Sequence, residues 1–479
     1  ATGSIDLAGA LTVSAGQVDS GNTASMDAFS ISVGLVTFDS VRPDVMVGGK
    51  TLAHLGGNFI IDAAAVNVTA AAPDNNASSD VFSLDVSLVN VGGGTTPVKV
   101  EHETSAYLAD GGNVTVTGGA LAFLATATAH AIVESFSVGI GLVGVRDITA
   151  NATVAGVTRA FVGGNAVLNA GDVSLTARSN GNTADAALST VGVSLVEVAD
   201  LDPTATTNHR AETFIAGGAN VTAGNVAMNS VLRSTADADV DTVAIGVAAV
   251  TSVNPTANAT DIARSFVDGV VSSADLTLTA NATRSSDANT NVFAIGVAGV
   301  AGADSNASTT GDTQVWFGSA SRITATGNVA ARAVANNRAN AKSTGGGGGI
   351  IGVGTLESSA TLTGGTTAYL NQNAQVLQAG NVEISAIAVN TAKADTFAGT
   401  GGVVSVRGAQ ATVNVTPVVE AVVDNNVSMQ NVGGSITLHA ESVRAEGDAI
   451  SRAYGGGFVD VGAARTDTTV EPTINAYID

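Results

Sequence analysis

Asp237-Ala-Asp239-Val-Asp241 is the densest set of carboxylates in the chain. Alternation puts all three on one face of a strand, where they offer the hard oxygen ligands that Ca²⁺ prefers. Calcium gathers about six to eight oxygens in a shaped loop, and this segment lacks the glycine and terminal glutamate of an EF-hand and the Gly-Gly-x-Gly-x-Asp repeat of calcium-binding β-rolls. Asp237, Asp239 and Asp241 are therefore expected to form a solvated acidic edge, with a calcium site as the weaker alternative and no other cofactor. Asp200 and Asp202, beside Pro203, read as a loop.

The five histidines stand at 54, 102, 130, 209 and 439, none at metal-ligand spacing from another, and no nucleophile, base and orienting group can be assembled around them. No enzymatic activity is expected. A polysaccharide-cleaving groove needs fixed acids and bases, yet one slot, two positions before an aromatic residue, holds Arg159 and Arg264 in some places and Glu212 and Glu420 in others. The regular Thr-x-Thr array of an ice-binding face is missing too: Thr115/Thr117 and Thr277/Thr279 do not recur along the chain. Asn-x-Ser/Thr triplets at Asn67, Asn151, Asn220 and Asn281 are what a chain rich in Asn and Thr contains by composition.

The elements that carry these residues recur. The strand Val-Ser-Leu-Thr-Ala beginning at Val173 has counterparts beginning at Leu11, Val66, Leu121, Val226, Leu276, Val329, Val382 and Ile436, at intervals of 55, 55, 52, 53, 50, 53, 53 and 54. A second strand, of the pattern Val138-Gly-Ile-Gly-Leu-Val-Gly-Val145, centres on Leu35, Leu88, Leu142, Leu195, Val247, Val297, Ile350, Val403 and Phe458. A third centres on His54, Tyr107, Phe161, Phe214, Phe266, Trp316, Tyr369, Val422 and Tyr477, a column that takes the only Trp and three of the four Tyr. The spacing predicts nine repeats of about 53 residues, near 1–55, 56–109, 110–163, 164–216, 217–268, 269–319, 320–372, 373–425 and 426–479, each with three strands.

Stacked one coil per repeat, such units form an elongated, all-β, parallel β-helix-like solenoid, with like side chains about 4.8 Å apart in ladders. Nine coils span roughly 43 Å. The aromatic column and a patchier one of Phe29, Phe82, Phe136 and Phe397 are expected to form the core. The turns Gly171-Asp172, Gly224-Asn225, Gly327-Asn328, Gly380-Asn381 and Gly434-Ser435 mark a corner, where glycine admits positive φ. The run Gly345 to Gly349 predicts a close approach of two backbones, with a flexible linker as the competing reading. Two coils of about 26 residues per unit lack an internal half-period, and a sandwich of antiparallel hairpins lacks the tight turns it needs.

Composition narrows the partners. The net charge of −22 opposes nucleic acid, and the apolar runs are too short to span a bilayer as helices. These features predict a chain that is neither bound to nucleic acid nor inserted in a membrane. Its Ala-Thr-Gly-Ser opening is read as that of a processed product or of a segment of something longer, and the absence of cysteine suits export through an oxidising compartment. Neither end carries a sequence that reads as a cap, so further units or another copy are expected at the ends.

The unit containing Thr128-Ala-His-Ala, Phe136-Ser-Val-Gly-Ile-Gly-Leu-Val-Gly-Val145, Arg159-Ala-Phe-Val162 and Ala170-Gly-Asp-Val-Ser-Leu-Thr-Ala177 resembles the repeat regions of giant secreted filamentous adhesins of bacteria, of the leukotoxin type. The resemblance covers the whole chain. It implies a bacterial cell-surface or extracellular location, delivery by an autotransporter or related exporter, and a role in attachment or in a fibre, with a surface glycan or protein as partner. A carbohydrate-binding or carbohydrate-cleaving β-helix and a rigid spacer in a giant surface protein are the alternative functions.

Overall fold

Alternating Val, Thr and Ala favour extended chain. The computed structural model, which describes residues 3–16 and 21–479, contains strands and no helix among those residues. Ala1 and Thr2, the start of the opening read as that of a processed product, lie outside them. Pairing among the described strands is parallel. Val173 lies opposite Val226, Val226 opposite Leu276 and Leu276 opposite Val329, so each pass of the chain rests on the one 50 to 53 positions earlier. A pairing offset near 26 residues is absent among the described strands, as are antiparallel hairpins. The result is a solenoid-like parallel β-structure.

The strands are longer than the sequence pattern suggests. Ala65–Leu108 and Val173–Ile215 run unbroken through their bends, because residues at a bend also find ladder partners on the neighbouring pass. Asp200 and Asp202 lie inside the second of these strands and not in a loop; Asp202 Oδ1 accepts from Asn254 Nδ2 at 2.8 Å on the next pass. A further set of short strands, Val167–Asn169 and Asn220–Thr222 among them, forms a separate nine-stranded sheet that the three-strand pattern missed.

Two cores run along the stack. In one, Val173, Leu175 and Ala177 pack with Leu168, Ala211 and Ile215. In the other, Ala184, Ala186 and Leu188 pack with Leu201 and Ala205. The second core is flat. Ser286 bonds to Thr309 and Thr290 to Ser305, each at 2.9 Å, so two limbs of one strand face each other and the chain doubles back at Val297. The layer between limbs this close is built largely of Ala and Val with a few leucines such as Leu188 and Leu201, which accounts for the excess of Ala and Val.

Residues between the two cores are buried and polar. Asp261 accepts from Thr207 Oγ1 at 2.6 Å, Ser234 Oγ at 2.6 Å and the His209 amide at 2.7 Å, and Thr158 Oγ1 bonds to His209 Nε2 at 2.9 Å. Arg284 donates through Nε to the Asp261 carbonyl at 2.9 Å and through Nη1 to Asn337 Oδ1 at 3.0 Å. Burial pushes the His209 imidazole down to about 4 and the Arg284 guanidinium down to about 10. Histidine alternates with glycine here: Gly156, at φ +120°, sits between His102 and His209, and a Cβ on it would stand 2.3 Å from the His102 carbonyl oxygen.

Two expectations need correction. The aromatic columns are on the outer surface and not in the core. Phe161 lies between inward-facing Ala160 and Val162, both fully buried, while Phe29 is 70% exposed. With a period of two the ring points away from its neighbours, and the inward positions beside it are taken by Ala160 and Val162; the interior admits rings elsewhere, where Phe123 and Phe317 are buried. At the Gly171, Gly224, Gly327, Gly380 and Gly434 corner the need for glycine is close stacking and not positive φ. A Cβ on Gly171 would come within 2.8 Å of the Gly119 carbonyl oxygen. The Asp and Asn that follow form the anticipated ladder: the Asn225 amide donates to Asp172 Oδ1 at 2.8 Å, the Asn328 amide to Asp275 Oδ1 at 2.7 Å, and Asn381 Nδ2 to Asn328 Oδ1 at 2.9 Å.

The run Gly345 to Gly349 is strand with close backbone approach, as anticipated, and not linker. A Cβ on Gly346, at φ +156°, would stand 1.5 Å from the Gly399 carbonyl oxygen, whereas one on Gly348 meets nothing within 4 Å. Gly346→Ala should therefore destabilise by about 2 kcal/mol or more and Gly348→Ala by little, measured as thermal unfolding midpoints. A second expectation concerns acid. Because folded His209 titrates well below its unfolded value, its contribution is intact above about pH 6.5 and drains as pH falls toward 4. Calorimetry from pH 7 to 4 should show a loss of roughly 2–3 kcal/mol that is reduced in His209→Gln.

Candidate functional site

Period-two alternation gives each outward column one residue per pass, so the surface is a set of lengthwise stripes. The first is aromatic. His54, Tyr107, Phe161, Phe214, Phe266, Trp316 and Tyr369 stack face to face with centroids 4.3–5.9 Å apart and planes within 13°. Each such contact contributes about 0.5–1.5 kcal/mol beyond burial. Val422 then interrupts the column, and Tyr477 follows on the last pass. Phe29, Phe82 and Phe136 stack similarly at 5.0 and 5.8 Å.

Beside the aromatic stripe lies an ordered line of charge. Lys50 pairs with Glu103 at 2.7 Å, Arg159 approaches Glu103 at 4.0 Å, and Glu212 sits between Arg159 at 2.9 Å and Arg264 at 3.5 Å. The mixture of Arg and Glu in one slot is thus complementarity between neighbours. The signal was present in the sequence: Arg159, Glu212 and Arg264 alternate in sign in one column, where a ladder brings each against the next, and Lys50 and Glu103 pair in the column beside it.

The acidic edge is a stack as well as a row. Asp185, Asp237 and Asp287 lie in register on three successive passes, with Asp239 and Asp241 on the same face. Asparagine amides relieve the repulsion: Asn289 donates to Asp239 at 2.8 Å, Asn291 to Asp241 at 2.7 Å and Asn340 to Asp287 at 2.6 Å. Burial, then Asp239 and Asp185, push the Asp237 carboxyl up to about 7. Among the described residues no group of three or more His, Asp or Glu is placed to hold a metal ion.

Three of the remaining histidines have local partners. His54 stacks on Tyr107, Thr51 Oγ1 bonds to His102 Nε2 at 3.0 Å, and exposed His439 meets Glu441 at 3.0 Å. Burial lowers the His102 and His130 imidazoles.

At the apex of the flat lobe the usual pattern is inverted. The central column of the second strand, from Leu35 to Phe458, points outward, and its seven inner members from Leu88 to Val403 are 45–53% exposed. Large apolar side chains two positions earlier, Ile140, Val193, Ile245 and Ile295, are exposed too. Facing inward instead are glycines and buried polar groups: Asp85, Asn90, Arg146 and Glu197, with Arg146 Nη1 on Glu197 Oε1 at 2.6 Å. The residue before each member of the central column is Gly or Ser. On Gly141, Gly246 and Gly296 a Cβ would lie 2.1–2.3 Å from the carbonyl oxygen of the neighbouring pass. The chain turns too tightly here for a side chain on these glycines, and the space that Gly139, Gly144 and Gly192 leave inside is filled by Arg146 and Glu197.

The terminal passes are paired on one side only. The strands Ile436–Gly456, Val459–Val470 and Thr473–Ile478 bond to the preceding pass and to nothing beyond among the described residues. Ile436 is 42% exposed, whereas Val226 and Leu276 in the same column are 0–1% exposed. No helix among the described residues is long and apolar enough to cross a membrane, which leaves membrane β-barrels unaddressed. The chain matches no known family model, no curated protein and no solved structure.

Asp237→Asn isolates the acidic stack. The raised carboxyl contributes fully below about pH 3.8 and its contribution is lost as pH rises to about 7. The variant should unfold at a higher temperature than the parent at pH 8, by about 1–2 kcal/mol after allowance for solvent screening, with the gain vanishing toward pH 4.

Proposed function

We propose that the chain is a structural segment of an extracellular or bacterial cell-surface filament or adhesin, nine units of about 53 residues long, with one coil and three principal strands per unit. It extends by stacking further coils on its ends. The observation that carries this reading is the continuous parallel ladder, in which each pass lies in register on the one before it, Val173 opposite Val226 and Val226 opposite Leu276. Parallel in-register stacking lets any pass template another of the same shape, in the same polypeptide or in a second copy. An added pass also continues the ladders, placing a ring on Tyr477 and an amide on Ser435. The resemblance to secreted filamentous adhesin repeats supports the same reading, as does the absence of cysteine.

A glycan-binding role is less well supported. Sugar rings dock on aromatic faces, and in the stripe from His54 to Tyr369 both faces of the interior rings are covered by neighbouring rings.

Purified chain should form filaments whose number and length rise with concentration, seen by electron microscopy and sedimentation. Leu438→Lys with Ile478→Lys, which charges one open end, should shorten them at least tenfold while leaving the circular dichroism spectrum unchanged. Uniformly short particles from the parent at high concentration would count against end-on extension.

A further inference from the structure

The apex ridge has no role in end-on stacking, and its chemistry is that of a buried surface. On one pass Ile245 and Val247 point outward while Ala244 and Gly246 point inward, the reverse of a soluble strand. The central column is apolar on all nine passes, without a single charge. With about half of each apolar side chain showing, the central column and the Val and Ile of the one two residues earlier, which gives way to Gly348, Gly401 and Gly456 on the last three passes, present on the order of 1,000 Å². Isolated soluble chains rarely expose more than a few hundred Å² in one apolar patch.

We infer that the ridge is a lateral interface with a second copy of this chain, the two apex columns interdigitating along their length. Three observations select that occupant. The surface is convex, so it fits no small ligand or inserted helix. Its knobs recur at the ladder spacing of about 4.8 Å, and the surface certain to present knobs and gaps at the same spacing is another such ridge, as in the dry zippers formed by stacked strands. The area also exceeds the roughly 800 Å² per partner that stable dimers bury. A lipid surface fits less well, because Asp147 and Asp200 lie just past the ridge on one side and Glu134 and Asp239 before it on the other, where membrane-bound faces carry Lys and Arg. Those acids would flank the dimer seam, so pairing should strengthen with salt.

The test uses the absence of native cysteine. A single Val247→Cys, at the middle of the ridge, meets its counterpart in either an in-register parallel or an antiparallel pair. Oxidation should link most of the chain as dimer, at least tenfold faster than a Thr277→Cys control placed on an outward column away from the apex. Sedimentation of the end-charged Leu438→Lys/Ile478→Lys chain measures lateral pairing apart from end-on growth. It should give a dimer whose affinity rises with salt, and adding Leu195→Asp, Val247→Asp and Val297→Asp should return it to monomer with an unchanged circular dichroism spectrum. Equal linking rates at the two cysteines would overturn the inference. So would an end-charged chain that stays monomeric at about 100 µM, where a micromolar dimer would be saturated, or one that floats with phosphatidylcholine vesicles as a monomer. Filament growth by the parent is unaffected by any of these outcomes.

Discussion

Every side chain in the body of this structure has a like-placed neighbour about 4.8 Å above it and another below. That distance is the constraint on which the rest depends. It is close to the stacking distance of aromatic rings, so a column of rings is self-supporting even at the surface. It is also a distance at which like charges repel strongly, so acids in a column must be interleaved with bases, bonded to amides or held protonated. The chain uses all three: Arg159 between Glu103 and Glu212, Asn289 on Asp239, and the raised carboxyl of Asp237.

The same spacing divides the molecule into an interior without room and an exterior without walls. Two limbs that face each other across a layer of Ala and Val leave no place for rings, and where they meet at the apex not even a Cβ fits on Gly246 or Gly296. Large apolar residues are driven outward there by geometry, against their preference for burial. Polar groups are held inward at the same point, where Arg146 donates through Nη1 to Glu197. Inversion of the hydrophobic pattern is therefore a property of the turn.

Much of this was legible in the residues. Two of the columns aligned by spacing are ladders in the structure, Val173 on Val226 and Phe161 on Phe214, and the third is held in line by paired residues on either side of it, Gly141 on Ser194 and Val143 on Val196. Which way each column faces was not legible, because alternation fixes that neighbours point apart without saying which one points inside. Size and hydrophobicity suggested that Phe161 was core, and its place between inward-facing Ala160 and Val162 decided otherwise. The short sheet containing Val167–Asn169 escaped for a different reason. Two or three residues between corners carry no period, and its pairing becomes visible only once the coils are stacked.

A chain of near-identical coils faces a hazard that a globular domain does not: a pass can settle one unit away from its proper place and still satisfy its backbone and its apolar columns. Ladders of like residues, however stabilising, do nothing to prevent this. The line Lys50, Glu103, Arg159, Glu212, Arg264 does. Omitting the Glu212 pass sets Arg159 against Arg264, and omitting the Glu103 pass leaves Lys50 opposite Val157, so the order of charges acts as a serial number that only the correct sequence of coils can read.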